Sequence, residues 1–160
     1  MSIIDEIVRN TGVQFRAATP KEVETLRSLG MPAEAIGFYR SYLPTRNVEI
    51  ARVRLWKLNE LFVENCDDAV PGCYVVPCGY TIFASNDCGD AYCFDRALAS
   101  SDTAPIVLIA HDLEPPDDKM VREDLAKLAK PIAESFERFL ERFVAGTLDR
   151  EPIYPPFDQG

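Results

Sequence analysis

Apolar residues recur at helical spacing through the first quarter of the chain. Residues 2–10 carry isoleucine and valine three and four positions apart, which predicts a first helix. Thr19, Pro20 and Glu22 have the pattern of a capping box with proline in the first turn, so a second helix is predicted to begin there. A third helix is predicted over residues 32–43, where aliphatic and aromatic side chains again repeat at helical spacing.

The middle of the chain changes to a pattern of short strands. Residues 49–56 alternate apolar and charged positions, which predicts a strand, and residues 58–63 predict a short helix. The segments that follow are rich in aromatic and β-branched residues and are separated by turn-forming residues; they are residues 72–77, 80–84, 91–95 and 105–111. We predict that these segments form the strands of an antiparallel meander.

Helical spacing returns in the last third of the chain. Residues 121–129 predict a short helix, and residues 131–145 predict a longer one whose apolar stripe packs against a sheet. Helices, strands and helices in this order predict a single α+β domain, in which a mainly antiparallel twisted sheet of about 4–6 strands packs against helices from both ends of the chain. We place this domain at residues 1–146 and a Pro-rich C-terminal tail at residues 147–160.

Composition limits the classes of function. The chain has 160 residues, 47% of them hydrophobic, which is typical of one globular domain. Its formal charge of −9 disfavours direct binding of nucleic acid, because such binding needs a basic face. No apolar run approaches the ~18–20 residues of a membrane span, and residues 1–12 lack the pattern of a secretory signal. We therefore expect a cytoplasmic protein that binds no membrane.

The negative charge is concentrated in the predicted sheet and its loops. Residues 58–118 contain twelve acids and a single base, Arg96, which is a formal charge of −11, whereas the rest of the chain has sixteen bases and fourteen acids. An acidic surface of this density attracts basic protein surfaces and accelerates association with them.

Five cysteines leave two interpretations open. The pairs Cys73–Cys78 and Cys88–Cys93 each enclose four residues, a spacing that zinc sites tolerate. Each cysteine also neighbours apolar residues, and an odd number in a cytoplasmic protein favours reduced thiols that pack as small hydrophobic groups. We favour packing thiols, and we predict no metal and no cofactor.

The single histidine offers the main route to catalysis. His111 closes an apolar segment and precedes Asp112, so an enzyme or zinc protein would use this pair with Cys88 and Cys93. A histidine at the end of a strand is more often structural, and residues 86–90 predict a hairpin turn, because they lack the spacing of a calcium loop. We assign no catalytic residue.

Five motifs follow one another along the chain. They are Phe38-Tyr39 ahead of Leu43-Pro44, residues 53–61 as a strand followed by a helix, residues 82–95 as a hairpin with Gly89-Asp90 before an aromatic strand, residues 105–112 as the next strand, and residues 135–140 as the start of a closing helix. In this order the motifs resemble the SUKH superfamily, which holds fungal cell-wall-assembly regulators and bacterial immunity proteins. The resemblance covers about residues 30–145.

The resemblance implies an α+β fold and a protein-binding role without enzymatic activity. Bacterial members typically bind and neutralise a cognate toxin, often a nuclease, and a nuclease holds phosphates with basic residues that an acidic protein can cover. We therefore expect an immunity-type protein whose partner is a basic toxin domain. The alternative is a regulatory or scaffold module like the cell-wall regulators, and a metal-binding or enzymatic protein is the third hypothesis.

Two sets of residues follow from these expectations. The predicted partner-binding residues are the loop acids Asp67, Asp68, Asp87, Asp90, Asp112, Glu114, Asp117 and Asp118. The predicted core residues are Trp56, Phe83, Phe94, Phe136 and Phe139. Asp95 is assigned to neither set, because an aspartate at the end of a strand also caps turns.

Overall fold

A computed structural model describes residues 2–66, 69–113, 115 and 119–149 of the chain. The helices are α1 (Ile3–Thr11), α2 (Pro20–Ser28), α3 (Ala33–Ser41), α4 (Leu58–Glu64), α5 (Gly72–Val75), α6 (Arg122–Leu128) and α7 (Phe136–Ala145). The strands are β1 (Phe15–Arg16), β2 (Leu43–Pro44), β3 (Val48–Ile50), β4 (Val53–Leu55), β5 (Tyr80–Asn86), β6 (Ala91–Asp95), β7 (Ile106–Ile109) and β8 (Lys130–Ala133).

The main sheet is an antiparallel meander. Its six strands lie in the order β3-β4-β5-β6-β7-β8, so each strand pairs with its neighbour in the chain. β1 and β2 form a separate two-stranded sheet that the pattern of the sequence does not predict. The predicted α+β fold with a mainly antiparallel sheet is confirmed, and none of the described helices is both long enough and apolar enough to cross a membrane.

The start of α2 confirms the predicted capping box. The Thr19 hydroxyl accepts a hydrogen bond from the Glu22 N–H at 3.2 Å, and the Glu22 carboxylate accepts one from the Thr19 N–H at 2.9 Å. The Arg16 guanidinium also donates two hydrogen bonds to the Glu22 carboxylate, both at 2.7 Å. These hydrogen bonds from Arg16 and Thr19 lower the pKa of Glu22 to about 2 and tie β1 to α2.

The strand predicted over residues 72–77 is wrong. These residues form α5 and a 3-10 turn over Val76–Cys78, and Val75 faces the core. A short apolar run does not distinguish a buried strand from a buried helical turn. Gly72 packs so closely against α4 that a Cβ atom would lie 2.1 Å from the Glu64 carbonyl oxygen.

Two other boundaries differ from the prediction. The single strand predicted over residues 49–56 is a hairpin, in which Ala51 and Arg52 turn the chain between β3 and β4 with φ of 47° and 71°. Alternation continues across this turn, so the sequence pattern does not reveal it. The helix predicted from residue 131 begins at Phe136, because residues 130–133 form the edge strand β8, where proline is tolerated.

All five predicted core residues are buried. The Phe83 and Phe94 rings stack with centroids 4.4 Å apart, and Phe139 of α7 meets Phe83 edge to face at 4.7 Å. Phe136 lies in the same cluster, 5.6 Å from Phe83. The predicted apolar stripe of α7 therefore packs onto the sheet. Beyond α7, Leu148 is also buried, and the Thr147 N–H donates to the Arg142 carbonyl at 3.0 Å.

Asp95 has a structural role at the end of β6. Its buried carboxylate accepts hydrogen bonds from the Arg122 guanidinium at 2.9 Å and from the Ala97 N–H at 3.1 Å. Arg122 also donates to the Cys78 carbonyl at 3.0 Å and lies over the Tyr80 ring at 5.0 Å. Asp95 therefore caps the turn after β6 and anchors α6 to the sheet.

Candidate protein-binding surface

Three loops meet at one end of the main sheet. Val53 pairs with Asn86 and Ala91 pairs with Ile109, so the antiparallel register brings the β3–β4 turn, the β5–β6 turn and the exit of β7 side by side. Residues 51–52, 86–90 and 110–113 are therefore neighbours, although they lie far apart in the sequence.

The β5–β6 turn is built by the side chain of Asn86. Its amide oxygen accepts hydrogen bonds from the Cys88 N–H and the Asp90 N–H, both at 3.0 Å, and Gly89 adopts a φ of 85°. Its amide nitrogen donates to the Asp90 carboxylate at 3.3 Å. The predicted hairpin turn is confirmed, and it holds Asp90 in a fixed position.

Asp90 joins this turn to the exit of β7. One oxygen of its carboxylate lies 2.8 Å from the His111 Nδ1 and accepts a hydrogen bond from the His111 N–H at 3.1 Å. Burial disfavours the charged form of Asp90, but the hydrogen bonds from His111 and Asn86 outweigh it, and the pKa of Asp90 is lowered. The hydrogen bond with Asp90 raises the pKa of His111.

The other charged groups of this end are exposed. The Arg52 guanidinium at the β3–β4 turn donates to the Asp87 carboxylate at 2.8 Å. Asp112 follows His111 and is exposed, and Asp149 beyond α7 acts electrostatically on Arg52. We call the carboxylates of Asp87, Asp90, Asp112 and Asp149, together with Arg52 and His111, the acidic end of the sheet.

The structure brings together the three predicted acids that it describes, Asp87, Asp90 and Asp112. The other five predicted partner-binding residues lie outside the described residues; they are Asp67, Asp68, Glu114, Asp117 and Asp118. Sequence reasoning does not assign Arg52 or Asp149 to this surface, because only the strand register and the path of α7 place them there. No sequence signal marks Arg52, because the alternation of apolar and charged positions continues across its turn.

Cys88 and Cys93, which form one of the two pairs with zinc-like spacing, lie in different environments. Cys93 is fully buried in β6, where burial raises the pKa of its thiol, whereas Cys88 is exposed at the β5–β6 turn. The Cys78 thiol donates to the Met120 carbonyl at 3.3 Å, as a packing thiol would. Within the described part of the chain, no three histidine, cysteine, aspartate or glutamate residues are grouped to hold a metal ion.

Helices packed against an antiparallel meander define an α+β domain, and loops at one end of its sheet bring acidic side chains together. The sequence model of the SMI1 / KNR4 family (SUKH-1) matches residues 21–142, about three quarters of the chain, and the protein therefore belongs to this family. The SUKH resemblance is confirmed. Family members are known in general as immunity-type or regulator-type modules, generally without enzymatic activity. A search of curated proteins found no match to the chain.

Proposed function

We propose that this protein is an immunity-type module that binds and neutralises a cognate toxin by covering a basic surface of the toxin with the acidic end of the sheet. The observation that carries this proposal is the convergence of three loops. Together with Asp149 they place four carboxylates beside one guanidinium and one imidazole among the described residues. The module has no catalytic role in the proposal and acts in the cytoplasm as a stoichiometric binder.

The form of this surface suits a basic partner. Asp90 is held by His111 and Asn86, so part of the negative charge is positioned before binding and costs little entropy to order. Asp112 and Asp149 are exposed and available to lysine or arginine side chains. A nuclease must hold phosphates with basic residues, and a matching acidic surface steers association and excludes the substrate.

Capture at two salt concentrations tests the partner class. The immobilised protein is exposed to lysate of the cells that produce it at about 50 mM and about 500 mM salt, since these conditions span weak and strong screening. We expect one dominant basic polypeptide that the higher salt releases. Expression of that polypeptide alone should arrest growth, and co-expression of the protein should restore it.

A matched pair of variants tests the surface. Asp112→Asn combined with Asp149→Asn removes two charges from the acidic end, whereas Glu123→Gln combined with Asp124→Asn removes two exposed charges from α6, beyond the opposite end of β6. We expect the first variant to slow association about tenfold and the second to leave it nearly unchanged. Equal effects of the two variants would contradict the assignment of the surface.

The regulatory or scaffold alternative predicts a different result of the capture experiment. It requires several partners of weaker affinity, none of which arrests growth when expressed alone. That outcome would replace the immunity-type function with a regulator-type one and leave the family membership unchanged.

A further inference from the structure

A second surface lies where α1, α3 and α7 come together. An apolar groove of about 340 Å³ is lined there by Ile3 and Ile4 of α1, by Phe38 of α3 and Tyr42 directly after it, and by Phe136 and Leu140 of α7. Grooves of this size accommodate a large side chain or a small ligand.

The groove has a rigid aromatic floor and an open rim. The Phe38 ring meets the buried Phe136 ring edge to face at 5.3 Å and contacts the Tyr42 ring at 5.7 Å. Tyr42 is 43% exposed, and Ile3 and Ile4 are half-buried. An exposed tyrosine beside a packed floor is typical of the residues that anchor protein partners.

Among the described residues that line the groove, the two charged side chains are both acidic. The carboxylate of Glu34 accepts hydrogen bonds from the Phe136 N–H at 2.8 Å and the Glu137 N–H at 3.2 Å, so its charge is fixed at the groove by the start of α7. The carboxylate of Glu137 is exposed beside it. The described residues that line the groove include no lysine or arginine.

This groove is separate from the acidic end of the sheet. It lies at the start of α7, whereas Gly146 at the end of α7 packs beside Ala51 of the β3–β4 turn. The ten residues of α7 span about 15 Å. A ligand of one surface therefore leaves the other surface free.

We propose that this groove is a second interaction surface, which takes a segment of a partner protein that presents an aromatic or leucine side chain next to lysine or arginine. The apolar side chain fills the space above Phe38 and Phe136. The basic side chain meets Glu34 and Glu137 at the rim. The charge of the rim selects against segments that present the same apolar side chain next to an acid.

Two tripeptides with the same apolar anchor and opposite charges test this selection. The probes are acetyl-Lys-Trp-Lys-amide and acetyl-Glu-Trp-Glu-amide. Their binding to the full chain is monitored by NMR through the methyl resonances of Ile3, Ile4 and Leu140. We expect the basic tripeptide to shift these three methyl groups at millimolar concentration and the acidic one to shift them much less. Shifts scattered over the molecule, or equal shifts from both probes, would overturn the proposal.

Two variants of α7 distinguish a charge that lines the groove from a charge elsewhere on the same helix. Glu137→Gln and Glu141→Gln each remove one exposed charge from α7, but only Glu137 lines the groove. We expect Glu137→Gln to lower the affinity for the basic tripeptide about two- to fivefold and Glu141→Gln to change this affinity little. Tyr42→Ala should weaken both tripeptides, because it removes part of the rim. Equal losses in Glu137→Gln and Glu141→Gln would overturn the selective role of the rim.

The same titrations identify other occupants. If residues 150–160 of the chain fill the groove, the chain that ends at Asp149 will bind the probe roughly tenfold more tightly, since an intramolecular competitor is removed. If a second copy fills it, Tyr42→Ala will dissociate a dimer in sedimentation. Either result would overturn the assignment to a partner protein.

Discussion

The hydroxyl group of Tyr39 lies in the core without a hydrogen-bond partner among the described residues. Its ring is fully buried between Phe38 at 5.4 Å and Phe136 at 5.7 Å. Burial raises the pKa of Tyr39, so the hydroxyl stays neutral at all ordinary pH values. Moving a hydroxyl group from water into an apolar core without a hydrogen-bond partner lowers the stability of the folded state. Burial of the aromatic ring has to offset this cost.

We expect Tyr39→Phe to keep or raise the stability of the protein. The substitution removes an unpaired group whose burial costs about 1–3 kcal/mol, so the free energy of unfolding should rise by up to about 1 kcal/mol after repacking. Urea denaturation measures this change. Tyr39→Ala is the control and should lower the free energy of unfolding by about 3–5 kcal/mol, because it leaves a cavity. A clear loss of stability in Tyr39→Phe would show that the hydroxyl has a partner.

His111 and Asp90 make the stability depend on pH in a defined window. The pKa of His111 is raised from 6.5 on folding, so its contribution is complete below about pH 6.5 and is lost as the pH rises through the raised pKa. The pKa of Asp90 is lowered from 3.8, so its contribution is lost as the pH falls below about 4. The pair therefore stabilises the fold most between these limits.

We expect the difference in unfolding free energy between the natural chain and His111→Gln to be largest at about pH 4–6.5 and to fall as the pH rises through the raised pKa of His111. Urea denaturation across this range measures the difference. An NMR titration of the His111 ring should give a pKa above 6.5 that returns toward this value in Asp90→Asn. A pKa at or below 6.5 in the natural chain would rule out the ion pair.

At the scale of elements, the β3–β4 hairpin determines which charges reach the acidic end. Its turn uses two residues with positive φ, Ala51 at 47° and Arg52 at 71°, where asparagine and glycine are the usual choices. A side chain with Cβ is strained in this region. The conformation aims Arg52 at Asp87 of the neighbouring turn, so the protein holds a cation beside its acids at the cost of local strain.

Ala51→Asn should relax this strain without removing Arg52. Asparagine tolerates the left-handed region, so we expect the free energy of unfolding to rise by about 0.5–1 kcal/mol. Thermal or urea denaturation checks this. Ala51→Val places a β-branched side chain at the same φ and should instead lower the free energy by about 1 kcal/mol or more. The prediction fails if both variants change stability in the same direction.

For the whole molecule, the position where the domain ends and the Pro-rich tail begins stays a prediction. Leu148 is buried, with 4% of its surface exposed. The Thr147 N–H donates to the Arg142 carbonyl at 3.0 Å, and the Arg142 guanidinium donates to the Thr147 carbonyl at 2.9 Å. These contacts tie the chain after α7 to the core.

We expect Leu148→Ala to lower the free energy of unfolding by about 2–4 kcal/mol, as for other buried leucines. Leu128→Ala is the matched control, because Leu128 is 57% exposed, and it should change stability by less than about 0.5 kcal/mol. A chain that ends at Gly146 should be less stable than one that ends at Asp149. Equal stability of these two chains would place the end of the domain at residue 146.

The sequence by itself determined the features that depend on neighbouring residues. The capping box of α2, the apolar stripe of α7 and the Asn86 turn follow from local spacing, because their hydrogen bonds and helical periodicity involve residues within one or two turns of chain. The five core aromatics follow from residue type and from their positions in apolar segments. The order of these local patterns was also enough to indicate the SUKH family.

Only the tertiary structure decided which distant residues meet. The pairing of Asp90 with His111, of Arg52 with Asp87 and of Asp95 with Arg122 depends on strand register and on the path of α6, which local spacing does not encode. For the same reason the helical turn at Gly72 replaces a predicted strand. A short apolar run adopts the conformation that its neighbours leave available, and those neighbours come from distant parts of the chain.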